Sequence, residues 1–299
     1  MSLDDHVATL IANPAQPVIT SEIAEQARKA VNASAVYFLA DGIACDIPLP
    51  SSIQSSRVAL ATLREVLAGQ AIDCVVQNAL TRRKKALIAD MDSTMIQQEC
   101  IDELAAEAGI GEQIADITAR AMRGEIEFEP AQRERLGLLA GQPTSIIDRV
   151  LTTRIEHMPG AKTLVATMKA NGAYCALVSG GFTHFTSAIA EQLGFDEHRA
   201  NTLDVSNGLL TGKAIPPILG REAKAVALRE IAKERAISAD DFIAVGDGAN
   251  DLDMLALAGA GVALHAKPIV AEQADIRIDH GDLTALLYIQ GYRKADFVS

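Results

Sequence analysis

Apolar positions recur along this chain in two different rhythms. Up to about residue 80, short β-branched or aromatic runs alternate with stretches of helical spacing: Val7–Ile11, Ser21–Val31, Ala35–Leu39, Ile43–Ile47, Ser56–Ala68 and Ile72–Val76. A period near two favours strands and a period of 3.6 favours helices, so the pattern predicts the order βαββαβ. Thr20 or Ser21 caps the first helix, and Asp41-Gly42 turns the middle strands into a hairpin. Beyond residue 85 the strand candidates are continuously apolar instead: Leu87–Ala89, Ala173–Val178, Phe242–Val245 and Gly261–Leu264. Helical stretches at Ala161–Ala170, Thr183–Leu193, Glu222–Lys233 and Asp251–Leu257 separate them. Strands without a polar face are buried on both sides, which predicts an α/β doubly wound parallel sheet.

The stretch between the first and second of these strands is too long for a βα loop and one helix. Residues 97–160 are rich in Ala, Glu, Ile, Leu and Arg at helical spacing, which predicts a helical cap inserted in the core. The expected division is therefore an N-terminal domain over 1–80, a core over 81–96 and 161–299, and a cap over 97–160. A second insertion, Asn201–Lys213, carries Asn207-Gly208, a type I′ hairpin signal, and reads as a flap on the sheet edge without a chemical role.

Composition narrows the partners. The net charge of −12 over 299 residues disfavours nucleic acid and anionic membranes. The one basic run, Thr81–Lys85, reads as a solvated linker. Cys45, Cys74, Cys100 and Cys175 are widely spaced and read as free thiols of a reducing compartment. The N-terminus has no basic flank followed by an apolar segment, and no apolar stretch spans a bilayer, so a cytoplasmic protein is expected. Nucleotide cofactors are not indicated. Gly246–Asp251 ends in a carboxylate that would repel a pyrophosphate, and Gly212-Lys213 lacks the hydroxyl residue a P-loop needs.

Candidate chemistry gathers at the carboxyl ends of the apolar runs, where ligands of open α/β sheets bind. Asp90 and Asp92 follow Ala86–Ala89 at a spacing that sends both side chains the same way from a strand end. Ser179-Gly180-Gly181 follows Ala173–Val178, offering a hydroxyl and closely approaching backbone N–H groups. Lys224 stands alone among alanines on a helix, and Gly246-Asp247-Gly248-Ala249-Asn250-Asp251 follows Phe242–Val245. A carboxylate attacking a phosphate dianion needs compensating positive charge. A lysine and a divalent cation on oxygen ligands supply it, and such ligands suit Mg²⁺ better than Zn²⁺. The histidines have no ligand spacing and read as structural or surface residues.

In order and spacing, Asp90-x-Asp92-x-Thr94, Ser179, Lys224 and Gly246-Asp247-Gly248-x-x-Asp251 resemble the haloacid dehalogenase (HAD) superfamily of aspartate-nucleophile phosphatases. Glu99 to Ala105, Ala121-Met122-Arg123-Gly124, Phe128, Arg135, Val178–Thr183 and Ala266-Lys267-Pro268 narrow the likeness to its phosphoserine phosphatases, over residues 84–290. The resemblance implies Mg²⁺-dependent hydrolysis of O-phospho-L-serine to L-serine and phosphate through an aspartyl-phosphate, the last step of serine biosynthesis. It implies Asp90 as nucleophile and Asp92 as general acid and base. It implies the Asp90 side chain, the Asp92 backbone carbonyl and Asp247 as metal ligands, and Ser179, Gly180, Lys224 and Asn250 as phosphate-binding. Glu99 would face the substrate ammonium, Arg135 its carboxylate, and Met122 and Phe128 would form an apolar wall. Asp251 would orient metal-bound waters or Lys224 from behind.

The βαββαβ region is similar to the ferredoxin-like ACT domains that bind amino acids in some biosynthetic enzymes. A structural role, a homodimer contact and serine sensing all fit that order. Three rival readings differ from this one in a feature that can be checked. A phospho-acceptor receiver module has no cap and carries its acceptor apart from its acidic pair. A phosphatase of another small monoester has no purpose for Glu99. A binding-only regulator would turn over no phosphate ester.

Overall fold

The computed structural model describes residues 5–299 except 54, 123, 124 and 127, and leaves the side chains of 121, 122, 128 and 129 outside the description. The first region contains β1 (His6–Ala12), α1 (Ser21–Ala30), β2 (Tyr37–Ala40), β3 (Ala44–Pro48), α2 (Ser56–Val66) and β4 (Ile72–Asn78). Its four strands pair antiparallel in the order β2-β3-β1-β4, the ferredoxin-like arrangement. Thr20 caps α1 by accepting from Ile23 N, and Ser55 caps α2 by accepting from Val58 N. One face of this sheet encloses its own core with both helices, built on Leu10, Ile47 and Leu63. The other face, through Ile11, Leu39, Ala44 and Val75, joins the main core of the molecule.

The second region opens with β5 (Ala86–Ala89). It continues through α3 (Cys100–Ala108), α4 (Gly111–Met122), α5 (Phe128–Leu138), α6 (Ser145–Thr153) and α7 (Ala161–Ala170) to β6 (Tyr174–Phe182) and α8 (Thr183–Leu193). After β7 (Glu197–Ser206) and β8 (Leu209–Ile215) come α9 (Glu222–Arg235), β9 (Phe242–Gly246), α10 (Leu252–Leu257), β10 (Ala260–Leu264), α11 (Pro268–Ala271), β11 (Ile276–Ile278) and α12 (Ala285–Ile289). The strands form one sheet in the order β11-β10-β9-β5-β6-β7-β8, parallel except for β8. Every residue of β5, β9 and β10 is buried, which is why these strands read as unbroken apolar runs.

Several details depart from the sequence expectation. β6 runs past the expected Val178 to Phe182, so Ser179-Gly180-Gly181 forms its irregular end, with the β7 register shifting between Val178 and Phe182. Asn207 and Gly208, with φ of 53° and 76°, make the expected tight turn. The hairpin is nevertheless more than an edge flap, because Gly141 N donates to Leu210 O, Leu210 N to Gln142 O and Thr144 N to Gly208 O. Three main-chain bonds thus stitch it to the α5–α6 connection. The basic run is also no solvated linker. Arg82 pairs with buried Asp46 at 2.8 Å, Arg83 lies over the Tyr292 ring, Lys84 Nζ donates to Asp240 O, and Lys85 pairs with Asp241. Sequence composition could not disclose partners so distant along the chain.

Candidate active site

The topology gathers the candidates at one place. β5 lies mid-sheet between β6 and β9, and parallel strands end together, so residues following all three meet above the same sheet edge. Asp90 N donates to Val245 O, extending the β5–β9 pairing by one residue and fixing Asp90 at the strand mouth. The next residues form a tight loop in which Met95 N and Ile96 N both donate to Met91 O. Ser93 takes φ 53° there. Lys224 lies on the buried face of α9 with Leu228 and Ile231, at helical spacing.

Charge in this pocket is dense and shielded from water. Asp90 Oδ1 accepts from Met91 N at 2.7 Å and lies 2.7 Å from Lys224 Nζ. Lys224 Nζ also donates to Asp251 Oδ1 at 2.6 Å, and Asp251 Oδ2 accepts from Gly248 N at 2.9 Å. Thr94 Oγ1 donates to Asp247 Oδ1 at 3.2 Å. Burial raises the Asp90 pKa well above the usual carboxylate range, Asp251 adds to the rise, and Lys224 opposes it. Burial pulls the Lys224 ammonium downward, but Asp90 and Asp251 outweigh it and leave the pKa raised, so Lys224 stays charged.

Asp92 faces a different set of partners. Its Oδ1 accepts from Cys100 N, the first amide of α3, at 2.8 Å, and its Oδ2 accepts from Ser179 Oγ at 3.2 Å. Burial, with neighbouring Glu99 second, pushes its pKa up to about 6. A carboxyl with that pKa can give a proton and take one back near neutrality. Close approach also dictates two glycines. A Cβ on Gly181 would stand 2.9 Å from Asp92 Oδ2, and one on Gly246 would stand 2.3 Å from Asp251 Cγ.

Asp90, Asp92, Glu99, Arg135, Ser179, Gly180, Asp247 and Asn250 line one cavity of about 190 Å³. Lys224 and Asp251 sit behind Asp90. Met122 ends α4 and Phe128 begins α5, but their side chains lie outside the described residues. Residues without an assigned role in the sequence also join the wall: Gln132 and Phe182, together with Lys267, whose Nζ lies 3.7 Å from Asp247 Oδ2. Thr94 and Lys267 stand inside motifs quoted above, so their signal was present. Gln132 gave none, being one more polar residue on an amphipathic helix.

Asp90, Asp247 and Asp251 each offer a carboxylate oxygen within 4.8 Å of the other two, and all three are buried. Lys224 is shared by Asp90 and Asp251, and Asp247 has only the largely exposed Lys267, so the three carboxylates keep an anionic excess that burial penalises and a divalent cation would cancel. The donor set is all oxygen and fits such a metal ion. Among the described residues the Asp92 carboxylate stands outside this cluster.

Comparison with known proteins agrees with this geometry. Residues 87–256 match the model of the haloacid dehalogenase-like hydrolase family. The chain is 42% identical over 240 residues to a phosphoserine phosphatase of Streptomyces coelicolor, a match covering 80% of this chain and 58% of that protein. It therefore spans about three fifths of that relative's length. It is 44% identical over 206 residues to a phosphoserine phosphatase of Streptococcus thermophilus, covering 69% of this chain and 95% of that one. Among solved structures, a HAD family hydrolase of Salmonella enterica serovar Typhi superposes with a TM-score of 0.84 at 30% identity, over 95% of this chain and 97% of that one. With its aspartates and glycines at the ends of adjacent parallel strands and its buried lysine on α9, the chain belongs to the haloacid dehalogenase-like hydrolase family.

Proposed function

We propose that this protein is a Mg²⁺-dependent phosphoserine phosphatase that hydrolyses O-phospho-L-serine to L-serine and phosphate. One observation carries the reading: the cavity that holds Asp90 and Asp92 also presents Glu99 and Arg135, an anion and a cation suited to the ammonium and carboxylate of an amino acid. Relatives named phosphoserine phosphatase, at 42% and 44% identity, support the same substrate. A phosphate ester without an amine would offer the Glu99 charge no cation.

In this mechanism Ser179, the Gly180 backbone, Asn250 and Lys224 hold the phosphoryl oxygens. Mg²⁺ held by Asp90, Asp247 and the Asp92 carbonyl would supply positive charge to that group and lower its repulsion of the nucleophile. An Asp90 carboxylate oxygen bonds to phosphorus as the bond to the serine oxygen breaks, and Asp92 gives that oxygen its proton. Asp92, now ionised, takes a proton from water, whose oxygen displaces Asp90 from phosphorus. Phosphate leaves and Asp92 is protonated again. Lys224 keeps its charge through both steps, offsetting the negative charge that builds around Asp90. Glu99 at the N-cap of α3 and Arg135 in the last turn of α5 line the same cavity as Asp90 and Asp92, which supports their role in reading the amino-acid end of the substrate. The four free cysteines, all buried, go with a reducing cytoplasmic setting.

Phosphate release measured over a panel of monoesters, with and without Mg²⁺, tests the reading. Phosphoserine should be turned over far faster than phosphoglycolate, sugar phosphates or nucleotides, and only with the metal. Equal rates across the panel would remove the amino-acid assignment, and no turnover of any ester would remove the enzyme.

A further inference from the structure

Gln132 lies on α5, one turn before Arg135, and is only 7% exposed. Its Nε2 donates to Gly180 O at 3.2 Å, and the same carbonyl accepts from Asn201 Nδ2 at 2.8 Å. Asn201 is oriented in turn, because its Oδ1 accepts from Leu219 N at 2.7 Å. Rotating the Gln132 amide would face its oxygen to a carbonyl oxygen, so the polarity of the group is fixed with Nε2 towards the phosphate-binding strand end. That leaves Oε1 shielded from water and without a partner. Arg135 Nε shares that condition, and among the described residues these are the two cavity-lining side chains with a shielded, unpartnered polar atom. One helix face thus offers an unmet acceptor and an unmet donor one turn apart.

We propose that Gln132 is a specificity-determining residue: its Oε1 accepts a hydrogen bond from the substrate ammonium while its Nε2 holds the Gly180 carbonyl. The proposal deepens the phosphoserine reading and rests on it. An ammonium carries three donors, and Glu99 already accepts from Ser93 Oγ at 2.8 Å, so one carboxylate does not satisfy it. A neutral acceptor suits this position, since another buried anion beside Asp90, Asp92, Asp247 and Asp251 would add to an existing excess. The amide therefore ties recognition of the amino group to the strand end that holds the phosphate.

The test compares kcat/KM for O-phospho-L-serine and for 3-phosphooxypropanoate, the same skeleton without the amine, in Mg²⁺. Loss of the Nε2 bond acts on both substrates and cancels in their ratio, so the ratio isolates Oε1. Gln132→Leu should cut the preference for phosphoserine about tenfold, chiefly through KM. Gln132→Glu, which keeps an acceptor, should hold the preference at or above the wild-type value. An unchanged ratio in Gln132→Leu, or an equal fall in Gln132→Glu, overturns the proposal; if the leucine variant does not fold, Gln132→Met, which also lacks the acceptor, is read in its place. A wild-type protein that shows no preference for phosphoserine removes the substrate assignment and this inference with it, whatever the variants do.

Discussion

Buried aspartates occur in both regions of the molecule at nearly the same exposure, 5% for Asp46, Asp73 and Asp90 and 7% for Asp247, yet their surroundings differ in kind. In the N-terminal region both buried carboxylates among the described residues have partners within the protein. Asp46 accepts from Thr9 Oγ1 and pairs with Arg82, while Asp73 accepts from the backbone N–H groups of Asp279, His280 and Gly281. At the strand ends of the larger sheet, Asp90, Asp247 and Asp251 crowd together, with Lys224 shared by Asp90 and Asp251 and only the exposed Lys267 beside Asp247, so negative charge exceeds what their protein partners offset. A buried charge with complete partners builds structure. A buried charge in excess awaits a ligand, and this separates the two regions where burial alone does not.

The sharpest way to break this comparison is to neutralise one charge from each region. Asp90→Asn should cost at least about 10⁴-fold in kcat while the protein stays folded, because it removes the attacking oxygen and relieves the anionic excess. Phosphate release with BeF₃⁻ trapping measures it, and retained turnover would move the nucleophile elsewhere. Asp73→Ala should do the opposite, lowering stability by about 3 kcal/mol through the backbone donors left unpaired, with kcat little changed. Urea unfolding beside the activity assay reads both quantities.

Arg135→Ala should raise KM for phosphoserine more than tenfold, about 1.4 kcal/mol, and an unchanged KM would dissolve the proposed carboxylate contact. The smallest effect concerns Asp92. Its folded pKa, about 6, lies above the ordinary 3.8, so folding favours its protonated form. That contribution is present below the ordinary value and lost as pH rises through about 6. Asp92→Asn should therefore raise the melting temperature of the chelated protein by roughly 2–4 °C at pH 8, with the gain vanishing near pH 4. A gain that grows on acidification would reverse the assignment.

The parts of the fold visible in the sequence are those where one local rule decides. β5, β9 and β10 are buried on both faces and so read as parallel strands, and Asn207-Gly208 can adopt the positive φ values its turn requires. β11, only Ile276–Ile278, is too short to announce itself, and α12 gave no separate signal despite being buried throughout. In the site, Asp90, Asp92 and Asp247 lie in compact motifs beside strand ends. Glu99 and Arg135 gained meaning only from a family likeness, since either would pass for a charge on an amphipathic helix. Gln132 escaped altogether, because its significance lies in a bond to Gly180, 48 positions away.

The shared apolar seam between the two sheets has a practical consequence. Ile11, Leu39 and Val75 belong to the same continuous core as Leu286, Leu287 and Tyr288 at the carboxyl end. A shortened gene beginning near residue 81 would therefore lay bare a greasy scar on α12 and strip Arg82 of its counter-ion. The excised product should be sticky and prone to clump, so the larger region is better dissected by point substitution than by scissors.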